Sequence, residues 1–82
     1  MRSLEEIVTD KRLDDVFQYA NFGGTSKRDV VKWALMKVAC RYANGHTAEC
    51  IIIELGLVGK DLILTDNGRE YLYEAFNQGG NH

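Results

Sequence analysis

The sequence has no proline, two cysteines, one tryptophan and no long apolar run, and each shortage narrows what the chain can be. Without proline, helices have to be stopped by other means, and eight glycines are available to do it. Cys40 and Cys50 lie ten residues apart, which is not the dense framework of a secreted disulfide scaffold, so a reducing compartment is expected. Apolar runs such as 51–53 fall far short of the roughly 20 residues that a membrane-spanning helix needs. The first twenty residues carry Glu5, Glu6, Asp10, Asp14 and Asp15 and lack the apolar stretch of a secretory signal. A cytoplasmic protein with no membrane partner is the expectation.

Catalytic and cofactor chemistry is also sparse. The stretch 21–27, Asn-Phe-Gly-Gly-Thr-Ser-Lys, lacks the spacing that puts a lysine after the second glycine of a phosphate loop. Cys40, His46 and Cys50 could supply three metal ligands, with a fourth from His82 or an acid, but their spacing matches no familiar zinc site. A buried thiol pair is expected instead. Asp14 and Asp15 are adjacent on a helix and point to different sides, as solvated residues do. His46 sits between a glycine stop and a helix cap, the place of an exposed loop residue. No nucleophile has a base beside it, so a non-enzyme without metal or cofactor is expected.

What is present is the composition of a folded chain: 82 residues, 45% hydrophobic and 27% charged. That length supports one modest core. One domain is expected over residues 1–78, with 79–82 as a mobile tail. The net charge of −2 conceals a division. Residues 26–45 hold Lys27, Arg28, Lys32, Lys37 and Arg41 against Asp29, and are locally +4, while the rest of the chain is −6. A polyanion would have to be met by that middle segment.

Ser3 and Glu6 have capping-box spacing, followed by Leu4, Ile7 and Val8 on one helical face. The stripe then loses phase, which predicts a break near Thr9 and Asp10, with Asp10 capping a second helix to about Ala20. The turn at 21–25 precedes Ser26, a candidate cap for a third helix to about Ala43, closed at Asn44-Gly45. Val30, Val31, Ala34, Leu35, Val38, Ala39 and Tyr42 form its wide apolar stripe. Trp33, Met36 and Cys40 lie off that stripe. They are either a second packed side or a partner or dimer surface anchored by Trp33. Thr47 could cap a fourth helix closed by Gly56, but the β-branched run makes a strand over 50–54 an open alternative. Leu57-Val58 and 62–64 read as a small hairpin around the turn at 59–61. Thr65 then caps a last helix with Tyr71, Leu72, Ala75 and Phe76 on one face. The expected fold is mainly α, four to five short helices with a small β-hairpin.

Two stretches resemble DNA-binding families. Residues 16–35 look like the helix-turn-helix of bacterial and phage repressors. Ala20 matches the small residue that lets the two helices approach, Gly24 the turn glycine four residues later, and Val30 and Trp33 the later apolar positions. The resemblance implies that Ser26, Lys27, Arg28 and Lys32 face double-stranded DNA, where a helix start and its cations would suit phosphate. Residues 47–76 separately resemble the end of a winged helix, on the run "ELGLVGKDLILTDNGREYLYEAF" with its Thr65 cap followed by Gly68 and Leu72. The helix preceding that run carries Glu49 and Glu54 and no base, so phosphate would be repelled there. The two matches place the recognition helix differently, and the positive charge of 26–45 could equally be a solvated face. Two functions follow as expectations. One is a DNA-binding, winged-helix-like transcription regulator acting through Ser26, Lys27, Arg28 and Lys32, as a dimer. The other is a protein-interaction adaptor or inhibitor of the kind phages and bacteria use, or a homodimer, acting through Trp33, Met36 and Cys40.

Overall fold

A computed structural model describes residues 2–79. Five helices follow one another: α1 (Leu4–Ile7), α2 (Asp10–Val16), α3 (Lys27–Ala39), α4 (His46–Glu54) and α5 (Asp66–Gly79). Of the tail expected over 79–82, Gly79 is the last residue of α5, while Gly80, Asn81 and His82 lie outside the described residues.

The N-terminal ends obey local chemistry. Ser3 Oγ accepts from the Glu6 N–H while Glu6 accepts from the Ser3 N–H, a complete capping box for α1. Thr9, not Asp10, caps α2, its hydroxyl accepting from the Arg12 N–H at 3.1 Å. Asp10 is one residue too far along, and its carboxylate is held by Arg28 instead. Ser26 caps α3 as expected, accepting from the Asp29 N–H. α4 begins at His46 behind Gly45, which has no side chain to offer, so Thr47 is inside the helix and not its cap.

The helix ends differ more from expectation. α2 stops at Val16, not Ala20, because Phe17 turns inward and packs edge-on against Phe22 with ring centroids 5.8 Å apart. α3 stops at Ala39, not Ala43. Arg41 takes the left-handed conformation at φ 63°, and the Tyr42 N–H closes onto the Lys37 carbonyl at 2.7 Å. Glycine-type closure is thus made by an arginine. At the end of α4 the same closure uses Gly56, φ 75°, with the Leu57 N–H on the Ile52 carbonyl. Because a Cβ penalises this conformation by about 1 kcal/mol, Arg41→Gly is expected to raise stability by roughly that amount in urea unfolding. An unchanged midpoint would show the strain is absent.

The open alternative over 50–54 resolves as helix. Ile51 and Ile52 are both buried against α3, and that packing outweighs the intrinsic preference of β-branched residues for strands. The expected hairpin does not form, and with it goes the winged-helix reading. Among the described residues there is no strand, only one isolated antiparallel bridge between Val58 and Leu64. The arms are too short to extend it. Leu57 and Val58 are pulled into the core, and Leu62 reverses the chain at φ 63°, so pairing lasts for a single step.

The repressor-like helix-turn-helix also fails on geometry. Ten residues, 17–26, separate α2 from α3, where that motif uses a turn of roughly 3–4. The left-handed glycine is Gly23, not Gly24. α3 packs on α4 and α5, and α1 on α5, while α2 and α3 make no comparable pairing.

One core cluster joins all five helices, from Leu4 and Leu13 through Val31 and Leu35 to Ile52, Leu57 and Tyr71. Gly68 allows α5 a close approach to Leu57: a Cβ there would lie 1.9 Å from the Leu57 carbonyl oxygen. Thr65 fastens the same junction, its hydroxyl donating to the Gly56 carbonyl and accepting from the Gly68 N–H.

Candidate functional site

The start of α3 was the expected polyanion edge, and its side chains are engaged elsewhere. Ser26 spends its hydroxyl on the helix cap. Lys27 Nζ lies 2.6 Å from Asp14 Oδ1. Arg28 turns toward the body of the protein, donating to the Val8 carbonyl at 2.9 Å, Asp10 at 2.8 Å, Glu5 at 3.3 Å and the Tyr71 hydroxyl at 3.2 Å. Three carboxylates therefore surround two of the cations, which weakens their attraction for phosphate. Asp10 is held below the usual carboxylate range chiefly by its hydrogen bond from Arg28. Burial pushes the Tyr71 phenol up, with Arg28 opposing it.

Lys32 goes to a different place. Its ammonium lies 5.3 Å from the Trp33 ring centroid and 5.4 Å from that of Phe76. One cation thus joins α3 and α5 on a shared surface. Trp33 is 52% exposed, Phe76 41% and Tyr73 56%, and Tyr73 and Phe76 are neighbours one turn apart on α5. Met36 is half-buried, and Cys40 is exposed with its sulfur 3.8 Å from Met36 Sδ. Trp33, Met36 and Cys40 face away from the core formed by Val31, Ala34 and Leu35, so among the described residues no helix covers this side of α3. Tyr42 and Ala39, expected in the apolar stripe, are also exposed because the helix ends before it can carry Tyr42 inward.

Sequence reasoning missed Tyr73 and Phe76 as surface residues. Of the expected face Tyr71, Leu72, Ala75 and Phe76, Tyr71 and Ala75 are buried, Leu72 is partly buried and Phe76 is exposed. The three-residue spacing from Tyr73 was the available signal, since it defines an aromatic strip beside the core-facing one. A second apolar surface was hidden by the hairpin assignment. Tyr42, Leu62 and Ile63 border a cleft of about 760 Å³ between the end of α3 and residues 61–64, with Arg41, Glu49 and Arg69 around it.

The cysteines also depart from expectation. Both are free and exposed, not a buried thiol pair. Cys50 Sγ lies 3.5 Å from His46 Nε2 within α4, whereas Cys40 neighbours Met36 on α3, so the three proposed ligands do not converge. Among the described residues no group of three or more His, Cys, Asp or Glu side chains is arranged to hold a metal ion. His82 lies outside those residues. No described helix is long and apolar enough to cross a membrane. Comparison with protein-family models, with curated proteins and with solved structures gives no match.

Proposed function

We propose that the protein is a non-catalytic interaction module that docks on another polypeptide through the joint face of α3 and α5. The observation that carries this reading is the exposure of Trp33 on α3 and of Phe76 on α5 with the Lys32 ammonium set near both rings, and of Tyr73 one turn before Phe76. Aromatic side chains bury much area on contact at little entropic cost, and an exposed tryptophan beside a cation has the make-up of an interface anchor. Half-exposed indole in water is costly in the free state, and docking would remove that cost.

The test is a cross-linking capture with the intact chain, run beside a duplex-DNA titration at two salt concentrations. Trp33→Ala and Phe76→Ala should abolish a polypeptide adduct that Lys27→Ala retains, with no salt-sensitive DNA binding. An adduct indifferent to Trp33, or DNA binding lost on Lys27→Ala, would overturn the reading.

A further inference from the structure

The exposed line of α3 carries a pattern that says what kind of surface fits it. Asp29, Trp33 and Lys37 occupy positions i, i+4 and i+8, so they form one row along the outer side of a 13-residue helix. All three are exposed. Among the described residues neither Asp29 nor Lys37 has an ion-pair partner, in contrast to Lys27 and Arg28 on the same helix. The rise of a helix puts Asp29 about 6 Å before Trp33 and Lys37 about 6 Å after it.

An acid, an aromatic and a base at equal spacing is a row whose complement is itself reversed. We infer that α3 pairs with the α3 of a second copy of this chain, antiparallel about a twofold axis through Trp33. The two indoles then meet at the axis. On either side, Asp29 of one copy stands level with the partner's Lys37, so two ion pairs bracket the aromatic contact. Parallel pairing would set aspartate against aspartate and lysine against lysine, so charge fixes the direction as well as the register. Met36 and the Lys32–Phe76 flank lie alongside the row and add apolar contact at its edge. An isologous contact of this kind closes after two copies and leaves no end open. The assignment rests on the reading that this face is a docking surface and names its occupant.

The experiment is charge reversal, read by sedimentation equilibrium at low salt on the intact chain. Wild type should dimerise. D29K and K37D should each weaken self-association by roughly tenfold or more, because each sets like charges opposite one another twice. An equimolar mixture of D29K and K37D chains should form a heterodimer, since one then presents only bases and the other only acids. The D29K/K37D double variant should recover the homodimer. Recovery on mixing also requires that both single variants be folded, so misfolding cannot mimic the expected result. A wild-type chain monomeric at millimolar concentration, or a dimer indifferent to both reversals, overturns the assignment. If the monomer still gives a Trp33-dependent adduct with a different protein, the interaction reading survives and only self-pairing falls. If no Trp33-dependent adduct is found either, both fall.

Discussion

Gly68→Ala is expected to cost about 3 kcal/mol or more, a large part of the marginal stability of so small a domain. On propensity alone the change should help, since alanine is favoured over glycine inside a helix by about 0.5–1 kcal/mol. Geometry reverses the sign. The new Cβ would sit 1.9 Å from the Leu57 carbonyl oxygen, 2.9 Å from its carbon and 3.3 Å from its Cα, all of them backbone atoms with no rotamer to escape into. That carbonyl is further pinned by accepting from the Thr65 N–H at 3.0 Å. Relief requires lifting α5 away from Leu57, which would open the contacts that bury Leu57 and Tyr71 completely. Gly24→Ala is the control, because nothing lies within 4 Å of a Cβ there. Urea unfolding of the two variants should differ sharply, and equal midpoints would mean that α5 is not seated as described.

Arg28→Ala is expected to lose about 1–3 kcal/mol, whereas Lys27→Ala should change stability by no more than about 1 kcal/mol. Both are cations at the start of α3, yet only Arg28 reaches inside. Its removal strips the Tyr71 hydroxyl and the Val8 carbonyl of a donor at partly buried positions, while Lys27 pairs with Asp14 in open solvent. The loss should depend on pH. The folded-state value of Asp10 is depressed by Arg28, so its contribution is present above the ordinary carboxylate value of about 3.9 and disappears as pH falls through the folded value. Wild type and Arg28→Ala should therefore approach one another in strong acid. Chemical unfolding at neutral pH and below pH 3 would check this, and a constant gap would exclude the Asp10 linkage.

These two residues also mark where the sequence could and could not be read. Caps formed by Ser3, Ser26 and Thr65 were legible because each depends on a hydroxyl reaching an N–H a few residues away. The helical phases that bury Val31, Leu35 and Tyr71 were legible for the same reason, as local periodicity. The inward hydrogen bonds of Arg28 were not legible, because its partners, Val8, Asp10 and Tyr71, come from distant elements that no spacing rule links to it. Turn residues and apolar arms suffice to suggest a hairpin at 57–64, while the pull of Leu57 and Val58 into the core decides otherwise. Trp33 was correctly singled out as lying off the main stripe. Phe76 comes from a helix more than thirty residues later, and only the tertiary packing of α3 on α5 brings it to the Lys32 ammonium that Trp33 also meets.

The two exposed thiols turn the molecule into its own reporter. Cys40 stands on the Trp33 side of α3, while Cys50 opens on the groove between α2 and α4 beside Tyr19. A maleimide dye therefore samples two separate surfaces without any engineered attachment point. Occlusion of the α3 face would slow labelling at Cys40 and spare Cys50, and the ratio of the two rates would map which side of the protein has been covered.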